Sequence, residues 1–135
     1  MDLIFVDTSA WCAYFDESEV NHSVAVSLMD DVPFPLITSN YVIDETLTLI
    51  NIRAGHSQAV TIGERLFAGY PARLIRITEK DEKDAFKLFA RYSDKKFSFT
   101  DCTSFVVMQK FGITQAFTFD KHFRQMGFEA VPAIG

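Results

Sequence analysis

The chain has 135 residues, a length that gives one domain with a real core and is short for two. Hydrophobic residues make up 48% of it and 14 residues are Phe, which excludes a disordered chain. Thirteen Lys and Arg against 18 Asp and Glu leave a net charge of -5, so no global basic field marks the molecule as a nucleic-acid binder. Two cysteines, Cys12 and Cys102, stand far apart with no CxxC or Cys/His cluster, so neither a disulfide framework nor a zinc site is expected. Both read as small, buried, reduced thiols. No segment approaches the length of a membrane span, and Asp2 stands where a signal peptide has its basic residues, so a cytoplasmic protein with no membrane partner is expected.

The first apolar run, Leu3 to Val6, reads as a strand buried on both faces of a parallel sheet. It stops at Asp7, and Thr8-Ser9 then predicts the cap of a short helix through Phe15. A modest helix follows from His22 to Asp30, ended by Pro33 and Pro35, and Leu36 to Thr38 gives a second strand. Ser39 or Asn40 caps a strong helix carrying Val42, Ile43, Leu47, Ile50 and Ala54, which Gly55 ends. A helix from Ser57 to Ala68 leads to a third strand, Arg73 to Ile77. Thr78 caps the next helix with Asp81 at N3, and Ala85, Phe86, Phe89 and Tyr92 are expected on its core face. Thr100 is expected to cap a helix that Gly112 closes, Thr114 to Phe119 is a fourth strand ending at Asp120, and Phe128 to Val131 a fifth. Strands alternating with helices predict a three-layer α/β/α domain over residues 1–135 with a central parallel sheet of four to five strands.

Asp7 and Asp120 thus end two strands, Asp101 lies in the first turn of a helix, and Glu45 lies on the second turn of another. Asp44 projects about 100° away from Glu45 around the axis. If the first and fourth strands are neighbours, their C-terminal ends flank the topological switch point, where open α/β sheets bind ligands. Taken singly, each acid has a plain structural explanation as a cap, a turn or a surface residue. Four facing one another raise each other's pKa unless a cation joins them, and oxygen-only ligands favour Mg2+ or Mn2+. Such a site suits phosphodiester hydrolysis.

Val6-Asp7-Thr8-Ser9-Ala10, Tyr41 to Leu47, Phe99-Thr100-Asp101-Cys102 and Phe117 to Phe123 resemble the four motifs of PIN-domain ribonucleases. The nearest likeness is to the VapC-type toxins of toxin–antitoxin pairs, and it extends from Asp7 to Val131. The resemblance implies an endoribonuclease with Asp7, Glu45, Asp101 and Asp120 as its metal pocket, Asp7 and Asp101 the most direct ligands. It implies Mg2+ or Mn2+ as cofactor and supporting hydroxyls at Thr8 and at Ser98 or Thr100. It also implies a homodimer and a small antitoxin that masks the cleft.

Lys95, Lys96, Lys110, Lys121 and Arg124 flank the Asp101 and Asp120 segments and are candidate RNA-backbone contacts, each with a solvated face as its plain alternative. His122, two residues past Asp120, reads as a surface histidine with a contact to a substrate phosphate as its alternative, and Trp11, Tyr14 and Phe15 as core or interface with stacking on bases as theirs. Cys102 has no histidine base at a recognisable spacing, so it is not read as a nucleophile. Two other functions compete: a PIN nuclease of RNA processing that is no toxin, and a non-catalytic module binding a metal or a basic peptide. An aspartyl phosphatase would show Asp-x-Asp where Asp7-Thr8-Ser9 stands, and a receiver domain an Asp where Ile77-Thr78-Glu79 stands.

Overall fold

The computed structural model describes residues 2–133. Among them five strands form one parallel sheet: β1 (Ile4–Val6), β2 (Leu36–Ser39), β3 (Arg73–Ile75), β4 (Gln115–Phe117) and β5 (Glu129–Val131), in the order β3-β2-β1-β4-β5. The helices are α1 (Thr8–Phe15), α2 (His22–Asp31), α3 (Asn40–Arg53), α4 (His56–Phe67), α5 (Glu79–Arg91), α6 (Phe99–Lys110) and the short α7 (His122–Gln125). Every residue of β1 and β2 is buried, which requires helices on both faces of the sheet, whereas the edge strands β3 and β5 stay partly open. The three-layer α/β/α architecture expected from the alternation of elements is what forms. Its core includes Phe5, Trp11, Ile43, Phe105, Phe117 and Phe123, all fully buried. Trp11 is held by a buried polar chain: its Nε1 donates to Thr38 Oγ1 (3.1 Å), which donates to the Val6 carbonyl (3.1 Å).

The connection after β1 goes to β2 on one side, and the chain returns from α6 to β4 on the other. The C-terminal ends of β1 and β4 therefore border the switch point. Val6 pairs with Phe117, so Asp7 and Thr118 leave the sheet side by side.

Several boundaries differ from expectation for local reasons. Helix α1 starts at Thr8 with Asp7 at its N-cap, so Thr8 and Ser9 lie inside the helix and do not cap it. Ser98, not Thr100, caps α6, because its hydroxyl and Asp101 form a reciprocal capping box. Strand β3 stops at Ile75, and the Ile77 N–H goes instead to Asn40 Oδ1 (2.7 Å). Strand β4 stops at Phe117, short of Phe119: the Thr118 N–H still donates to the Val131 carbonyl (3.1 Å), but the two N–H groups after it find side-chain acceptors. Phe119 N–H donates to Ser9 Oγ (2.9 Å) and Asp120 N–H to Thr118 Oγ1 (3.0 Å). Helix α5 turns Asp81 and Ala85 inward, with Leu88 and Tyr92 partly buried on the same stripe, and leaves Phe86 and Phe89 at 60% and 45% exposure. Those two phenylalanines are therefore surface residues rather than core.

Candidate active site

At the switch point one cavity of about 340 Å³ opens to the surface, lined among others by Asp7, Glu45, Asp101 and Asp120. Four separate elements deliver these acids: the end of β1, the second turn of α3, the first turn of α6 and the loop after β4. Asp44, one residue from Glu45, is exposed and off the cavity, as the helical spacing predicts.

Asp7 is buried, and its Oδ2 accepts from Ser9 Oγ (2.9 Å) and Thr118 Oγ1 (2.8 Å). Ser9 and Thr118 thereby tie the β1–α1 turn to the residues that carry Asp120. Burial pushes the Asp7 carboxyl up to about 7, with the Asp101 charge adding to it and the two hydroxyl bonds opposing it. A buried carboxylate facing another carboxylate is a poor anion unless a cation joins the pair.

Asp101 is fixed by its helix. Its Oδ2 accepts from the Ser98 N–H (3.0 Å), while its own N–H donates to Ser98 Oγ (2.9 Å). The same Oδ2 lies 2.8 Å from His122 Nδ1, and Asp120 Oδ2 lies 3.3 Å from that nitrogen. Nδ1 thus faces both carboxylates and donates to them in the tautomer that carries its proton there. Burial raises the Asp101 pKa, against the lowering effect of the Ser98 N–H and of His122. Asp120 is set by a tight turn in which its Oδ1 accepts the His122 N–H (3.0 Å). Asp101, Asp120 and His122 bring their ligand atoms within 4.8 Å of one another.

His122 was expected at the surface; it lines the cavity and sits between two of the acids. The spacing Asp120-Lys121-His122 gave no metal-ligand pattern, since its place depends on α6 arriving from 21 residues upstream. Its ring is braced by Phe97, 5.4 Å away between centroids. Of the hydroxyl residues, Ser98 and Thr8 line the cavity, and Thr100 does not. Thr8 is 4% exposed, and its Oγ1 has no hydrogen-bond partner among the described residues. Among the candidate RNA contacts, Lys96 lines the cavity, whereas Lys95, Lys121 and Arg124 lie outside it. Lys110 pairs with the buried Asp81 at 3.4 Å. Cys12 and Cys102 are free and buried, and burial pushes both thiols up to about 11, which leaves Cys102 inert as a nucleophile.

Asp101, Asp120 and the His122 ring form the close group of ligand atoms, while Asp7, Glu45 and the Thr8 hydroxyl, unpartnered among the described residues, line the same cavity; this oxygen-rich set fits a divalent cation such as Mg2+ or Mn2+.

The PIN domain family model matches residues 4–129, and the chain belongs to the PIN-domain family. It is 38% identical over 129 residues to the 23S rRNA-specific endonuclease VapC20 of Mycobacterium tuberculosis (strain CDC 1551 / Oshkosh), covering 96% of this chain and 98% of that protein. The crystal structure of M. tuberculosis VapC20, described as a Sarcin-Ricin loop cleaving toxin, superposes with a TM-score of 0.88 over 93% of this chain and 95% of that one, at 38% identity. A toxin–antitoxin complex from Klebsiella pneumoniae gives a TM-score of 0.62 over 87% of each chain at 13% identity, a likeness of fold alone.

Proposed function

We propose that this chain is a divalent-cation-dependent endoribonuclease and the toxin of a toxin–antitoxin pair. The observation that carries the reading is the convergence of Asp7, Glu45, Asp101 and Asp120 on one cavity at the switch point of a PIN fold. The full-length relative at 38% identity is named for cleavage of 23S rRNA, which makes ribosomal RNA the first substrate to test.

Asp7 and Asp101, with Glu45 and Asp120, would hold Mg2+ or Mn2+, and Thr8 Oγ1 offers a neutral oxygen beside them. When bound, such a cation supplies an activated water and stabilises charge on the scissile phosphate and the leaving oxygen. The chain's own contribution is positioning. Ser9 and Thr118 orient Asp7, Ser98 locks Asp101, and His122 Nδ1 faces both Asp101 and Asp120. Lys96 gives the RNA backbone a positive contact on the same rim.

The family resemblance supports a homodimer, a cytoplasmic setting and a small antitoxin that covers the cavity. The test is cleavage of ribosomal RNA by purified protein. Cleavage is expected with Mg2+ or Mn2+, with loss in EDTA and a fall of at least about a hundredfold in Asp7→Asn and Asp101→Asn. Cleavage that persists in both variants overturns the reading.

A further inference from the structure

The cavity continues along α3 beyond the acids. Glu45, Leu49 and Arg53 stand four residues apart, so they share one stripe of the helix, and all three line the cavity. Arg53 lies about 12 Å along the axis from Glu45. Beside it the loop between α1 and α2 contributes Glu19 and Asn21 to the same lining. Arg53 Nη1 donates to Glu19 Oε1 at 2.9 Å, with the two side chains 44% and 31% exposed. That bond engages one of five N–H donors on the guanidinium, and the planar fork matches a phosphate.

A polyanion laid across four carboxylates needs cations along its path. Among the residues lining the cavity, Lys96 and Arg53 carry the permanent positive charges. Lys96 stands just before the helix that carries Asp101; Arg53 stands two turns from Glu45 on a different helix.

We propose that Arg53, oriented by Glu19, binds a backbone phosphate of the RNA flanking the cleavage site, so that this end of the cavity is a positioning subsite. The inference rests on the reading of the chain as an RNA endonuclease. Arg53 takes no part in bond breaking. Its effect belongs in substrate affinity and in the salt dependence of the reaction, since each phosphate contact on a single strand contributes about 0.7 to the slope of log affinity against log salt.

The experiment measures kcat and KM for cleavage of a single-stranded ribosomal RNA oligonucleotide over a range of salt concentrations. The proteins are wild type, Arg53→Ala, Arg53→Lys and Arg73→Ala. Arg73 opens β3 at the N-terminal end of the strand, is exposed and does not line the cavity, so its loss controls for net charge. The Arg53–Glu19 pair is exposed enough that Arg53→Ala keeps the fold, which its melting temperature checks. Arg53→Ala is expected to raise KM about tenfold with kcat within twofold, and to flatten the slope of log(kcat/KM) against log salt by about 0.7. Arg53→Lys retains the wild-type slope, and Arg73→Ala matches wild type. If wild type cleaves and Arg53→Ala shares its KM and slope, the subsite is overturned and Arg53 only links α3 to the loop. If wild type neither binds nor cleaves RNA, the nuclease reading itself falls and the subsite with it.

Discussion

Asp7 is the residue on which the electrostatics of the site turn. Its carboxyl is pushed up to about 7 by burial first and by Asp101 second. In the unfolded chain an aspartate titrates near 3.9. Between those two values the folded protein holds a proton that the unfolded chain has released, so stability falls as pH rises through the window. The contribution is fully present below about pH 4 and is gone above pH 7. In protein stripped of divalent cations, the melting temperature is therefore expected to decline from pH 4.5 to 7.5, and Asp7→Asn should flatten that decline. A wild-type profile that rises across the same window, or one that Asp7→Asn leaves unchanged, contradicts the assignment. Cation binding has the opposite pH dependence, because the ligand must be deprotonated, and affinity for Mn2+ should climb through pH 7.

At the scale of the element, α6 holds Asp101 in place through its capping box. Ser98→Ala removes the acceptor for the Asp101 N–H. The expected loss is about 1 kcal/mol of stability, some 4 °C in melting temperature, together with a fall in cation affinity of about tenfold or more. An unchanged cation affinity would separate the cap from the site. The sequence reading places this cap at Thr100, yet the Ser98-x-x-Asp101 spacing of a capping box was present in the chain and is what forms. Other features were not legible, because distant residues decide them. Strand β4 ends early because a hydroxyl from α1, 110 residues away in sequence, takes the Phe119 N–H. The rotation of α5 was hidden because two apolar stripes compete on it. The one bearing Asp81 and Ala85 faces inward, with Lys110 meeting the buried carboxylate and Phe86 and Phe89 left outside. His122 owes its place to a carboxylate brought from another helix.

The architecture of the whole molecule explains why the acids could be found at all. A buried run that stops at an aspartate, in a chain of alternating strands and helices, sets that aspartate at the end of a central strand. Pairing of β1 with β4 then makes this end the switch point. Glu45 and Asp101 follow because their helices start above the same edge of the sheet. The cavity's lining residues Arg53, Glu19 and Asn21 fall outside any local motif and emerge only when α3 and the α1–α2 loop meet. In a chain of net charge -5 that brings Asp7, Glu45, Asp101 and Asp120 to one cavity, RNA would, on the proposed reading, approach over Lys96 and Arg53, the positive side chains of its lining. On the proposed reading these acids bind a divalent cation together. The most direct measurement is thermal melting at pH 8 of wild type and Asp101→Asn, each in EDTA, in Mg2+ and in Mn2+. A cation at 100 times its dissociation constant stabilises the folded state by about 2.7 kcal/mol. Wild type is predicted to gain several degrees on that scale, and Asp101→Asn to gain little. Equal gains in the two proteins, or no gain in either, would contradict the account.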